Sequence, residues 1–177
     1  KYQVSGKGYD VKISADGKYI VGTSGNSASG NEDAKIYLLE GLRDCTSEAC
    51  KVWSYEIGDE ILTTSISANG EYIVAGSGNN KAYLFGKDSS TPLWTYETDG
   101  EVNDVTISAD GEYVFIGSDD NKLYMFDKDN STPLWTYVTG GDIHSVTISA
   151  DGEYIVAGSD DDKVYAFKNY FANRPSV

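Results

Sequence analysis

A phrase of eight residues recurs four times in this chain: Ile13-Ser-Ala-Asp-Gly-Lys-Tyr-Ile20, Ile66-Ser-Ala-Asn-Gly-Glu-Tyr-Ile73, Ile107-Ser-Ala-Asp-Gly-Glu-Tyr-Val114 and Ile148-Ser-Ala-Asp-Gly-Glu-Tyr-Ile155. The last three copies start at residues 66, 107 and 148, so they lie 41 residues apart; the first interval, 13 to 66, is 12 residues longer. Self-similarity at such a period constrains the fold more than any single residue does. Each unit must be a small supersecondary element that cannot bury its apolar face alone, and stacking of units supplies the core.

The third unit shows what that element is. Val105-Thr-Ile-Ser108 reads as a short strand, A, and Ala109-Asp-Gly111 as a tight turn in which glycine can take a positive φ. Residues 112–116 read as strand B, 117–121 as a polar loop, 122–126 as strand C, 127–133 as a second turn and 134–137 as strand D. Strands B and C are apolar on both sides: Tyr113 and Phe115 alternate with Val114 and Ile116, and Leu123 and Met125 with Tyr124 and Phe126. A sheet with one wet face would alternate between apolar and polar. Each sheet is therefore expected between two others, as in the blades of a β-propeller. The expected fold is all-β: one propeller domain over residues 1–177 with four four-stranded antiparallel blades, the repeats spanning about 9–55, 62–96, 103–137 and 144–168. The extra residues of the first unit fall within Gly25–Ala34, in the B–C loop, and within Glu40–Cys50, in the C–D loop. Loops are where a stacked scaffold tolerates insertion.

The ends of the chain bear on closure. Tyr2 stands 11 residues before Ile13, as Tyr55, Tyr96 and Tyr137 stand 11 before Ile66, Ile107 and Ile148, so Lys1–Val4 reads as a fragment of an outer strand D. In the fourth unit Val164–Phe167 completes strand C, but no Leu-Trp-Thr-Tyr follows, and residues 169–177 read as a tail. Three readings fit. Lys1–Val4 completes the last blade of its own chain in a closed four-blade ring, or that of a second copy in an eight-blade homodimer, or the chain is part of a longer array.

Composition narrows the function classes. Fourteen Tyr, five Phe and three Trp exclude a disordered chain. No apolar run approaches 18 residues, so no membrane span is expected. The net charge of −14 repels phosphate backbones and excludes nucleic acid as a partner. The chain starts at Lys1 without Met or a secretory signal pattern, which reads as processed or cut from something longer.

Phe126-Asp-Lys-Asp-Asn-Ser-Thr-Pro-Leu-Trp-Thr-Tyr137 resembles the aspartate–threonine-glycine–tryptophan stretch of pyrroloquinoline-quinone-type propeller repeats. Ser-Ala-Asp-Gly-Glu-Tyr followed by Gly-Ser-Asp-Asp-Asn-Lys is similar to tryptophan–aspartate and YVTN surface-layer repeats. The likeness covers nearly all of residues 2–168. It implies a propeller with an exported, non-catalytic role, of the kind familiar from archaeal and bacterial cell surfaces. It does not bring the quinone with it. Enzymes of that group use an adjacent Cys-Cys disulfide, a Trp floor and acidic metal ligands near the axis. Here Cys45 and Cys50 are not adjacent and fall in a C–D loop, and Trp53, Trp94 and Trp135 share one repeat position on strand D, suited to packing at the blade edge.

The candidate site residues are polar groups at the loop end. His144, the only histidine, opens the fourth strand A, with Asn103, Leu62 and Tyr9 at the equivalent positions. One histidine without a nucleophile or metal cluster does not make a catalytic site. Acidic residues gather in the B–C loops (Asp119, Asp120, Asp160, Asp161, Asp162) and the D–A turns (Asp59, Glu60, Asp99, Glu101, Asp142). A meander puts both sets at one end, giving a negative field suited to cationic partners or to bridging by Ca2+; simple turn chemistry and solvation is the competing reading. Asp127-Lys-Asp-Asn-Ser131 begins like a calcium-binding loop but has Thr132 and Val138 at the sixth and twelfth positions, and is rejected. Asn130-Ser-Thr132 forms a glycosylation triplet in an exposed turn. Cys45 and Cys50 read as a disulfide pinning the C–D loop in an oxidising compartment, with two free thiols as the alternative. The expected function is a non-catalytic, cofactor-free scaffold, extracellular or at the cell surface, that binds protein, glycan or another copy of itself. A quinone-dependent or other propeller enzyme with an axial active site is the alternative.

Overall fold

The computed structural model describes residues 3–4, 7–25, 34–41 and 50–172, with the Tyr9 side chain left out. The repeated phrase folds as a self-bonded turn. In the third copy the Ser108 hydroxyl donates to Asp110 (2.5 Å) and accepts from the Tyr113 amide (3.0 Å), and Asp110 accepts from the Glu112 amide (3.0 Å). Ser14, Ser67 and Ser149 make the same bonds in the other copies. The glycine of the phrase is required twice over. Gly111 has φ 81°, and a Cβ there would lie 2.6 Å from the Tyr72 ring of the preceding sheet. Gly70 stands in the same way against Tyr19.

These turns join the strands of four antiparallel sheets. The first holds β1 (Lys7–Ile13), β2 (Tyr19–Gly25), β3 (Lys35–Glu40) and β4 (Lys51–Glu56). The second holds β5 (Ile61–Ile66), β6 (Tyr72–Ser77), β7 (Lys81–Gly86) and β8 (Trp94–Glu97). The third holds β9 (Val102–Ile107), β10 (Tyr113–Ser118), β11 (Lys122–Asp127) and β12 (Trp135–Val138). The fourth holds β13 (Ile143–Ile148), β14 (Tyr154–Ser159) and β15 (Lys163–Lys168). Each is a meander in sequence order, as the repeat requires. The first strands of successive sheets touch (β1 on β5, β5 on β9, β9 on β13), so strand A is innermost. Both insertions of the first unit lie between strands, and their residues fall outside those described.

One detail corrects the sequence reading. Strand A starts at Val102, three residues before the expected Val105, because β9 continues past an irregularity opposite Gly117 and Ser118. The fourth blade is three-stranded among the described residues, as the missing Leu-Trp-Thr-Tyr after strand C implied. Gln3 and Val4 form no strand, and Lys1 and Tyr2 lie outside the described residues.

The core is divided among the joints between sheets. Val21, Ile36, Leu38 and Trp53 of the first sheet pack on Ile61, Ile73, Tyr83 and Phe85 of the second. Val74, Leu84 and Trp94 pack on Val102, Val114, Ile116 and Phe126 of the third. Phe115, Leu123 and Met125 pack on Ile143, Val146, Ile155 and Ala157 of the fourth. Burial of both faces of strands B and C is thus the consequence of stacking. The tryptophans occupy the joint edges as their repeat position implied: Trp53 lies 5.2 Å from Phe85 and Trp94 5.2 Å from Phe126, ring to ring. Each indole also donates to a main-chain carbonyl of the next sheet, Lys87 at 2.8 Å and Lys128 at 2.9 Å. Among the described residues no fourth core joins the last sheet to the first. Val11 is 66% exposed and Val164 75%, whereas Val105 and Leu123 at the same positions of the third sheet are buried. Among the described residues the four sheets form an open arc.

Candidate functional site

The B–C loops and D–A turns meet at one end of the arc, as a meander dictates. Their main chains are bonded directly, Asp119 N to Glu101 O at 3.0 Å and Asp160 N to Asp142 O at 2.9 Å. Thr98 and Thr139 hydroxyls each reach two carbonyls of these turns. Ser118 and Ser159 tie strand B to the same segment. The loop end is therefore a fixed platform.

Within it the acidic residues divide by role. Asp120 and Asp161 have side chains only 3% and 9% exposed. Asp120 accepts from the amides of Lys122 and Asp99 and from the Tyr124 hydroxyl. Asp161 accepts from the amide of Gly140, the Tyr165 hydroxyl and Lys163. The bond from Tyr165 holds Asp161 well below the usual carboxylate range. Burial and the neighbouring Asp120 push the Tyr124 phenol far up, so it stays protonated as a donor. These two aspartates staple loops together through buried side chains, unlike the exposed candidates around them. Asn79 takes the same role in the second sheet, accepting from the Lys81 amide and donating to Tyr83.

The remaining candidates are brought together across the third and fourth sheets. Asn103 donates to Asp119 and to the Ile143 carbonyl, the latter at 3.1 Å. His144 lies beside it, Nδ1 3.4 Å from the Asn103 amide nitrogen, with Nε2 3.0 Å from Asp160. The two amide hydrogens of Asn103 are already used, so the histidine contact is a close approach rather than a third bond. The bond to Asp160, aided by the charges of Asp160, Asp119 and Asp142 against partial burial, raises the His144 pKa. Asp160 is 61% exposed, Asp162 is exposed on its turn, and Asp142 is half-buried. Asp99 is exposed too, its pKa lowered by Lys122 at 2.8 Å. Leu62 is half-buried at the equivalent position of the second sheet, and Tyr9 is outside the described side chains. Among the described residues, no three His, Cys, Asp or Glu side chains converge as metal ligands would. Cys45 lies outside the described residues, so its expected pairing with Cys50 does too. Asn130 is exposed in its turn and accepts from the Thr132 amide at 2.8 Å.

A second concavity was not foreseen. The innermost strands of all four sheets line a groove of about 280 Å³, with Ile13, Ile66, Ile107 and Ile148 and the alanines two residues after each on its wall. The signal was present, since these isoleucines open the repeated phrase, but their regularity reads as core packing. Thr106 and Ser149 add hydroxyls to this wall, and no ionisable group lines it. Among the described residues the histidine–carboxylate cluster at the loop end is the group whose charge and exposure suit it to attracting cationic groups.

Among the described residues no helix is long and apolar enough to cross a membrane. A family model described as outer membrane protein assembly factor BamB, of PQQ-like repeats, matches residues 47–170. No curated protein matches the chain.

Proposed function

The chain belongs to the propeller family described as outer membrane protein assembly factor BamB, and from that premise we propose that it is an exported, non-catalytic binding scaffold whose loop end engages protein or glycan. The observation that carries the reading is the platform itself: exposed Asp99, Asp160 and Asp162 stand on loops fixed by main-chain bonds, on a chain of net charge −14. Rigid, repeated, like-charged loops favour encounter with a basic protein surface. The family description of an assembly factor supports action through protein contact, and its outer-membrane setting supports export. In this reading the protein has no cofactor. A bound quinone would add an absorption band beyond 300 nm, so a purified sample carrying such a band would contradict the reading.

The direct test is calorimetric titration with an oligolysine peptide. Binding is expected at low salt and is expected to be lost at about 1 M salt, where the Debye length is about 3 Å. The combined Asp99→Asn, Asp160→Asn and Asp162→Asn variant should weaken binding several-fold. No binding at low salt, or binding indifferent to the three substitutions, would contradict the proposal.

A further inference from the structure

The interior joints give a template for what the arc lacks at its ends. At the second and third of them a glycine of strand B is filled by the first residue of the next sheet, while the first has Thr23 at that position. A Cβ on Gly76 would lie 2.5 Å from Val102 Cγ1, and one on Gly117 2.6 Å from Ile143 Cγ2. Gly158 holds the same position in the fourth sheet, and a Cβ there would meet nothing within 4 Å. Around it opens a groove of about 340 Å³, walled by Ser145, Gly158, Asp160, Lys163 and Val164. At the other end of the arc, Val11 and Ile13 are exposed (66% and 54%) where Val105 and Ile107 are buried. One molecule thus carries both halves of a joint, bare.

The hydrogen bonds match as well. Each interior joint is stitched from a side chain near the start of strand A to a main-chain amide of the next strand A. Asp10 accepts from Thr64 N at 2.7 Å, Thr63 Oγ1 from Val105 N at 3.4 Å, and Asp104 from Val146 N at 2.8 Å. Continued past the fourth sheet, the acceptor is the exposed Ser145 hydroxyl. Continued before the first, the donor is Val11 N, which turns to its own Asp10 at 2.9 Å. A serine–valine pair repeats the hydroxyl-to-valine stitch of Thr63 and Val105.

We propose that the fourth sheet of one copy docks on the first sheet of a second copy, head to tail, and that two such joints close two arcs into one ring of eight sheets. A heterologous contact of this kind is stable as a discrete species only if it closes. The joint is looser than the interior ones, because Gly8 stands where Ile61, Val102 and Ile143 stand and leaves the Gly158 socket underfilled. This groove shares Asp160 and Asp162 with the loop platform, but the inference does not rest on the binding role proposed for that platform.

Light scattering over a concentration series tests it. The wild-type chain should move from 19.2 kDa to twice that mass as concentration rises. Gly158→Val projects into open space in the single chain but toward the main chain of the docking residue, since at the interior joints Val102 O and Ile143 O lie 3.0 and 3.5 Å from such a Cβ; it should keep the strand spectrum by circular dichroism while holding the mass at that of one copy. Val164→Asp should do the same. Gly8→Ile fills the socket and should shift the transition to at least several-fold lower concentration. A single-copy mass at every concentration, or a dimer that Gly158→Val and Val164→Asp leave unchanged, overturns the proposal. Oligolysine titration of a Val11→Asp chain keeps the two readings apart, since it blocks the joint from the exposed face of the first sheet and leaves the loops carrying Asp99, Asp160 and Asp162 intact.

Discussion

At the residue scale, function and structure divide neighbouring aspartates. Asp160 and Asp161 are adjacent in sequence, yet one is exposed beside His144 and the other is consumed by Tyr165, Lys163 and Gly140. His144 is the only histidine, so its titration can be followed without ambiguity by NMR. Its pKa is expected above the ordinary 6.5, and Asp160→Asn should bring it back toward that value. A histidine raised in the folded state adds stability that is complete below the unfolded value and lost as the pH rises through the folded one. The loss should be small, because His144 is more than half exposed. A titration midpoint unmoved by Asp160→Asn would remove the pair from the account. Asp161 has the opposite sign: its lowered pKa gives stability present above the unfolded value and lost as the pH falls through the folded one. The sequence could count these acids but not separate them, because the separation depends on Tyr165 and the Gly140 amide, which the fold brings in from other segments.

At the element scale, the joints between sheets carry the stability. Trp94 is buried against Phe126 and donates to the Lys128 carbonyl, so Trp94→Ala should cost about 3–5 kcal/mol in urea denaturation. Removing Asp104 strips a partner from the Val146 amide and from the Thr63 hydroxyl. Asp104→Ala should therefore cost about 1–3 kcal/mol by the same measurement. Gly117→Val should destabilise by about 1–3 kcal/mol through its clash with Ile143, whereas Gly158→Val should leave single-chain stability nearly unchanged. Equal effects at the two glycines would contradict the assignment of Gly158 to a bare joint. Most of this level was legible beforehand. Two-sided apolar strands, residues 112–116 and 122–126, implied stacking, and the shared position of Trp53, Trp94 and Trp135 implied the joint edge. The start of β9 was not legible, because Val102 and Asn103 precede an irregular pairing opposite Gly117 that no alternation of residue types announces.

At the scale of the whole molecule, repetition fixes the path around the axis but not the number of steps that close it. Each joint is specified by local pairs, such as Gly117 with Ile143, and these are indifferent to whether the last sheet meets the first of the same chain or of another. The sequence therefore left closure open, and the exposure of Val11 and Val164 shows the first and last sheets unpacked against each other among the described residues. The measurement that tests this most directly is the distance between spin labels at Val11→Cys and Val164→Cys, by double electron–electron resonance, with Cys45 and Cys50 replaced by serine. Bulky labels at these positions also block docking between copies, so the distance belongs to one chain. An open arc gives a separation well beyond the roughly 10 Å of packed sheets. A distance at that packed value would mean that the four sheets close on themselves, and would contradict the account.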